Sequence, residues 1–291
     1  MHAFEYVTPN TVREAVKLLQ EKGPDARPIA GGTDIIVQMK VGRRRPLRVV
    51  DVKQIPELNE LSIGPRAGLR LGAAVPCYRI YQNQAVAEAY PGLIDAAAMI
   101  GSIQIQGRAS VGGNLCNAAP SADAIPALIA LNCTVVIAGP NGNREIPVEQ
   151  FCTGPGQNVL QPGELVVTLR MPPPRKRTGA HYLRFIPRNE MDIAVAGVGA
   201  SVVLDASGQR FLSAKVALAS VAPTPLLVQR VEQTVSGQPV SEETFERVAE
   251  LGRQQCRPIT DMRGTIDQRR HLVGVLTKRA LRTAVERARE A

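Results

Sequence analysis

The residues best suited to chemistry lie in one stretch, Ala109-Ser110-Val111-Gly112-Gly113-Asn114-Leu115-Cys116-Asn117-Ala118-Ala119-Pro120-Ser121-Ala122-Asp123. Two adjacent glycines sit between small polar residues, followed by an amide, a run of small side chains and a carboxylate. So many missing side chains suit a close approach of backbone to something bulky. Ser110, Gly112, Gly113 and Asn114 are expected to present free backbone N–H groups, and successive N–H groups in a turn form an anion-binding nest. A phosphate is the natural guest. A second stretch of similar make-up, Ile29-Ala30-Gly31-Gly32-Thr33-Asp34-Ile35, links two apolar runs. Thr33 or Asp34 can cap the helix expected to start there, where free N–H groups and the helix dipole both favour an anion. Either Gly-Gly pair alone equally suits an ordinary tight turn. Together, with their polar flanks, they point to a diphosphate held from two sides, as in a dinucleotide cofactor.

Other residue classes narrow the field. The five cysteines (Cys77, Cys116, Cys133, Cys152 and Cys256) are scattered, with no C-x-x-C, which argues against a disulfide framework and against a zinc or iron–sulfur site in this chain. Cys116 lies in the glycine stretch, where a redox role competes with the simpler one of small apolar filler. His2, His181 and His271 are far from both glycine loops in sequence, so no covalent histidyl link to a cofactor and no metal site is expected. The net charge of +9 comes with two basic clusters, Arg43-Arg44-Arg45 and Arg175-Lys176-Arg177, each beside proline. They lack interleaved aromatics and any nucleic-acid-binding motif, so solvated loops or a docking face for an acidic partner are expected rather than nucleic acid. No apolar run approaches the ~20 residues that span a bilayer. The first residues have no apolar signal-peptide centre, so a cytoplasmic location is expected.

A chain of 291 residues that is 44% apolar can build a sizeable core, here from Val, Ile, Leu and Ala because aromatics are only 3%. Residues 1–55 read as a small β-α-β-α-β unit: strands over 4–7, 27–30 and 47–52, and helices over 11–22 and 35–40. The unit lacks the G-x-G-x-x-G spacing of a Rossmann fingerprint. Residues 56–175 read as a hairpin over 58–72, helices over 78–88, 93–100 and 124–131, a strand over 133–138 with a hairpin into 144–147, and a strand over 165–171. Pro172-Pro173-Pro174 then forms a stiff connector at a domain boundary. Residues 178–291 read as three antiparallel strands over 181–186, 193–204 and 215–221, followed by helices over 241–254 and 267–290.

With these residues in place, the chain resembles the FAD-binding medium subunit of molybdenum hydroxylases, a family that includes xanthine dehydrogenases and aerobic carbon monoxide dehydrogenases. The likeness covers nearly the whole length. It rests on Ala30-Gly31-Gly32-Thr33-Asp34, on Ser110-Val111-Gly112-Gly113-Asn114 with Ala119-Pro120-Ser121-Ala122-Asp123, on Arg188-Asn189-Glu190-Met191-Asp192-Ile193-Ala194, and on Asp261-Met262-Arg263 with Arg269-Arg270-His271-Leu272. The resemblance implies an α+β fold of the vanillyl-alcohol-oxidase (PCMH) type, with two α+β subdomains around FAD and a C-terminal α+β domain of a three-stranded antiparallel sheet and helices. It implies noncovalent FAD, with Ile29 to Ile35 and Ser110 to Asn114 on its diphosphate. Asn117 and Asp123 match positions on the ribityl or ribose part, where a carboxylate makes strong hydrogen bonds to hydroxyls; Asp123 equally suits a cap for the helix that follows it. Ile193 matches the site that covers the flavin ring, and strand core is its alternative. The extra iron–sulfur cluster of one branch of the family is not supported by the cysteine spacing.

The resemblance further implies an electron-transfer role with no catalytic side chain of this chain's own. Electrons would arrive from the [2Fe–2S] clusters of a small subunit, after substrate oxidation at the molybdopterin of a large subunit, and leave to NAD⁺, a quinone or another acceptor. The basic loops 42–48 and 172–178 are candidates for partner docking. Two other classes stay open at this point: a stand-alone flavin oxidase of the same fold, and a non-catalytic scaffold that has lost FAD.

Overall fold

The computed structural model describes residues 1–188 and 191–291. The first sheet is parallel, in the order β1-β3-β2, with β1 at Glu5–Val7, β2 at Ala26–Ile29 and β3 at Arg48–Asp51. Helix α1 (Val12–Lys22) connects β1 to β2, and α2 (Ile35–Lys40) connects β2 to β3. The ends of α1 follow from its sequence. Thr11 accepts a hydrogen bond from the Glu14 N–H at 3.2 Å, Glu14 and Lys22 suit the dipole, and Gly23 ends the helix at φ +51°.

The second sheet is antiparallel, in the order β4-β5-β10-β6-β7. Its strands are β4 (Leu61–Gly64), β5 (Gly68–Gly72), β6 (Thr134–Gly139), β7 (Gly142–Pro147) and β10 (Leu165–Met171). A separate pair, β8 (Cys152–Gly154) with β9 (Gln157–Asn158), precedes β10. Central β10 is buried on both faces. Leu165 and Val167 join α1, Val50 and Val52 in one core, whereas Val166, Leu169 and Met171 join a second core with the helices beyond the sheet. The β10 register with β6 shifts between Val166 and Thr168.

The helices covering the far face are α3 (Cys77–Tyr81), α4 (Gln84–Ala89), α5 (Pro91–Met99), α6 (Ile103–Gln106), α7 (Val111–Asn117) and α8 (Ala124–Ala130). The single helix expected over 78–88 is two, because Asn83 accepts from the Val86 N–H at 3.1 Å and starts α4 afresh. Leu58, expected to open the hairpin, lies in a 3₁₀ turn over Pro56–Asn59, and the strand starts at Leu61.

The third sheet runs β11-β12-β13-β14, with β11 at Thr178–Phe185, β12 at Ala196–Leu204, β13 at Phe211–Ala219 and β14 at Leu226–Leu227. It therefore has four strands rather than three. The last is only a two-residue ladder of Leu226 and Leu227 on Leu218 and Ala217, too short to leave a periodic signal after Pro223 and Pro225. Strand β12 shows why this sheet is covered on both faces. Ala196, Val198, Ala200, Val202 and Leu204 face a core shared with α10 (Glu242–Gln255) and α11 (Ile266–Glu290). Alternate residues are small and meet the middle helices: Ser201 Oγ donates to Ala130 O at 2.6 Å, and a Cβ on Gly199 would lie 2.6 Å from the Pro126 backbone. Helix α9 (Val231–Val235) closes the edge near β13. Among the described residues, no helix is long and apolar enough to cross a membrane.

Candidate functional site

A cleft of about 570 Å³ opens between the first sheet and the helix-covered second sheet. One wall is the loop from β2 into α2, with Ala30, Gly31, Gly32, Thr33, Asp34 and Ile35. Facing it are Ser110, Gly112, Gly113, Asn114 and Asn117 at and within α7, and residues 156–166 close the remaining side. The two glycine loops, far apart in sequence, are in direct contact. A Cβ on Gly31 would overlap the carbonyl of Arg108, and Arg108 Nε donates to Gly31 O at 3.0 Å. Gly32 adopts φ +78°, the left-handed conformation that turns β2 into α2.

The N–H groups are arranged differently from an open nest. Ser110 is extended (φ −124°, ψ 154°) and caps α7, its Oγ accepting from Gly113 N–H at 3.0 Å. The Asn114 N–H is bonded to Ser110 O at 2.9 Å. Two of the four donors expected to be free, Gly113 and Asn114, are thus engaged, leaving those of Ser110 and Gly112, while the Val111 N–H is turned to the strand-like bridge of Ser110 with Pro76. The absent side chains also serve different ends. A Cβ on Gly112 would run into the Ala73 backbone, so that glycine lets α7 pack on the chain after β5. A Cβ on Gly113 would meet only Ser110 Oγ, at 3.0 Å, and otherwise stand in open space at the cleft.

Side-chain caps are also redistributed. Asp34 stands at the start of α2 with helical angles (φ −98°, ψ −50°), so its carboxylate does not fold back to cap, and Thr33 does not cap either. Asp34 instead lines the cleft with no hydrogen bond among the described residues, and desolvation raises its carboxyl above the usual carboxylate range. The α8 cap comes from Asn114 Oδ1, which accepts from Ala124 N–H at 3.1 Å. Asn117 lines the cleft and accepts from Gln38 Nε2 at 2.9 Å, tying α7 to α2.

Four of the expected site residues stand apart from the cleft wall. Ile29 and Val111 are buried beneath the two loops, as their apolar side chains require. Asp123 is buried and neither lines the cleft nor caps α8. Its Oδ1 accepts from Tyr182 Oη at 2.8 Å and its Oδ2 from Arg184 Nη1 at 2.7 Å, both on β11. Burial pushes the Asp123 carboxyl upward against the opposing pull of Arg184 and Tyr182. Burial and the neighbouring carboxylate push the Tyr182 phenol well above its usual range, so it stays a donor. Ile193 lies away from the cleft and is not strand core: β12 begins only at Ala196, and Ile193 is 47% exposed on the loop before it. Its N–H donates to Asp192 Oδ1 at 2.8 Å. Within the same motif, Asn189 and Glu190 lie outside the described residues.

Arg27 and Arg44 also line the cleft and escaped sequence reasoning. Arg27 is on β2, and Arg44 belongs to the basic triplet read as solvated or docking. Three consecutive arginines in a turn carry no signal of which one points inward. Glu164 on the same wall is already committed to Arg144 at 2.7 Å, so it does not neutralise them. Cys116 reaches the cleft too, but burial pushes its thiol up to about 12, which suits a filler and not a nucleophile. The cleft thus offers the Ser110 and Gly112 N–H groups, two guanidinium groups and unpaired polar side chains beside apolar walls. That donor set fits an elongated ligand with a central polyanion, and its size is that of a cofactor site.

A family model described as the FAD binding domain in molybdopterin dehydrogenase matches residues 2–174, and one described as the CO dehydrogenase flavoprotein C-terminal domain matches residues 181–284. The chain is 32% identical over 279 residues to the xanthine dehydrogenase FAD-binding subunit of Escherichia coli O157:H7, covering 96% of this chain and 94% of that protein. It is 31% identical over 281 residues to the carbon monoxide dehydrogenase medium chain of Hydrogenophaga pseudoflava, covering 97% of this chain and 96% of that one. Among solved structures, a carbon monoxide dehydrogenase chain from Hydrogenophaga pseudoflava superimposes with a TM-score of 0.93 at 31% identity, covering 98% of each chain. The fold, the cleft and these matches agree: the chain belongs to the family of FAD-binding subunits of the molybdenum hydroxylases, the xanthine and carbon monoxide dehydrogenase group, and is an oxidoreductase subunit of PCMH-type fold that binds FAD.

Proposed function

We propose that this chain is the electron-exit subunit of a hetero-oligomeric molybdenum hydroxylase. A molybdopterin-binding large subunit and a [2Fe–2S] small subunit supply the electrons, and NAD⁺, a quinone or another acceptor takes them. Bound FAD supplies the redox chemistry, because it accommodates one-electron donors and two-electron acceptors alike. The chain's own residues bind and orient it. In this reading Ala30 to Ile35, with Ser110, Gly112, Gly113 and Asn114, border the diphosphate, and the N–H of Gly112 faces it. Asn117 lies within reach of the ribityl or ribose part. Asp123 acts from behind the wall, held by Tyr182 and Arg184. Ile193, exposed on its loop, is free to cover the ring from the side of a partner.

The observation that carries this reading is the direct contact of the two glycine loops in a cleft lined by cations and unpaired polar groups. Noncovalent attachment is favoured because none of His2, His181 and His271 lines the cleft. The test is the visible absorption spectrum of the purified chain before and after addition of FAD, followed by acid precipitation. Flavin bands that acid releases into the supernatant are expected. A chain that takes up no flavin, alone or co-expressed with its partner subunits, overturns the proposal.

A further inference from the structure

Of the basic triplet in the turn between α2 and β3, Arg43 and Arg45 face solvent, whereas Arg44 is half-buried and reaches the cleft. Its one hydrogen bond there is long, Nη2 to Gly156 O at 3.5 Å, on the turn between β8 and β9. Arg27 projects into the same cleft from β2. Among the described residues, neither guanidinium has a carboxylate within ion-pair distance, although most other buried or half-buried cations do: Arg48, Arg144, Arg184, Arg253, Arg269 and Arg287 are all paired. Burial first, and then the charge of Arg44, depress Arg27 below the usual guanidinium range. Two like charges drawn together in a partly desolvated cleft are unfavourable unless an anion lies between them.

We infer that Arg44, together with Arg27, forms a guanidinium clamp for the phosphates of the nucleotide bound in this cleft, and that the rest of the triplet takes no part. The inference rests on the cleft being the FAD site. The clamp acts beside the β8–β9 turn, which the Gly156 N–H ties to Ala118 O at the end of α7 at 2.9 Å. Guanidinium suits the task because its planar fork of donors pairs with phosphate oxygens in two places at once, and it stays charged when partly desolvated. The alternative is that Arg44 merely straps the β8–β9 turn through Gly156 O. That role predicts no discrimination between ligands with and without phosphate.

The test compares the flavin-depleted full-length chain with its Arg44→Ala, Arg44→Lys and Arg43→Ala variants. Each is titrated with FAD, ADP and riboflavin at several salt concentrations. Arg44→Ala is expected to weaken FAD and ADP roughly ten- to a hundredfold, the effect of losing a charge-assisted hydrogen-bonding partner. Riboflavin affinity is expected to stay unchanged and the salt dependence of FAD binding to flatten. Arg44→Lys should recover part of the loss, and Arg43→Ala should match the wild type. Unchanged FAD affinity in Arg44→Ala, or an equal loss for riboflavin, overturns the clamp while leaving the cleft as the FAD site. A folded wild-type chain that binds neither FAD nor ADP overturns the placement of the cofactor and the clamp with it.

Discussion

At the scale of single residues, the glycines of the second loop separate two jobs that look identical in sequence. Gly112 packs against backbone, and Gly113 borders open space in the cleft. Gly112→Ala forces its methyl into the Ala73 carbonyl, and overpacking of this kind typically costs about 1–3 kcal/mol. A clear fall in melting temperature is expected, with FAD or without it. Gly113→Ala sits within a helix, where alanine is favoured over glycine by roughly 0.5–1 kcal/mol. Its melting temperature without ligand is expected to hold or rise, while FAD affinity drops because the new methyl stands at the cleft wall. Thermal unfolding and FAD titration of both variants check this, and equal behaviour of the two would remove the distinction. Asp123 shows the same limit of reading residues singly. Its place after the small-residue run is plain in the sequence, but its partners Tyr182 and Arg184 lie about sixty positions away, where no local pattern announces them.

At the scale of elements, the third sheet is fastened to the middle helices by a polar latch. Asp95 on α5 accepts from Arg287 of α11 through both oxygens, at 2.6 and 3.0 Å, and lies 2.6 Å from His181 Nδ1 on β11. Arg287 Nη1 also donates to Ala180 O at 2.7 Å. Burial opposes ionisation of Asp95, but the hydrogen bond to His181 and the pairing with Arg287 outweigh it and hold its carboxyl below the ordinary value. The sign follows from linkage. A carboxyl depressed in the folded state contributes stability above its unfolded value of about 3.9, and that contribution is lost as pH falls through the lower folded value. Asp95→Asn is therefore expected to be less stable than the wild type at neutral pH by about 1.5–3 kcal/mol, the worth of hydrogen bonds to a charged group. Below about pH 4 the wild type should lose its advantage and the two stability curves converge. Denaturant unfolding at a series of pH values measures this; a constant gap down to the lowest pH would remove Asp95 as the titrating group. The elements the latch joins were legible as elements, because α5, β11 and α11 each have local periodicity. Their juxtaposition was not.

At the scale of the whole molecule, the third sheet is a cover for the cofactor-side helices as well as a body of its own. Ala96 of α5, Ala127 of α8 and Tyr182 of β11 form one small core across the junction. Gly92 and Gly199 allow backbone-close packing there, on Ala180 and on Pro126 respectively. A fragment ending at residue 174 would expose those apolar faces of α5 and α8 and take Tyr182 and Arg184 away from Asp123. Such a fragment is expected to aggregate or to be cleaved rapidly in limited proteolysis, whereas the intact chain resists. A fragment as resistant as the whole chain would show that the cover is dispensable.

The sequence by itself determined what local forces decide. Helix α2 and strand β10 have the bounds that turn residues and apolar periodicity assign them, Ile35–Lys40 and Leu165–Met171, although the side-chain cap expected for α2 does not form. The α+β class, the two glycine loops and the likeness to the molybdenum hydroxylase flavoprotein family were legible in the same way, because glycine runs and periodic apolar residues act over a few positions. Tertiary structure alone decided the rest. It set Gly31 against Arg108, turned one arginine of three into the cleft, gave Asp123 to β11, and moved the α8 cap to Asn114. Each is a long-range contact between segments whose own patterns are complete without it. Packing of distant surfaces, rather than any local propensity, selects which donors stay free and which charges go unpaired.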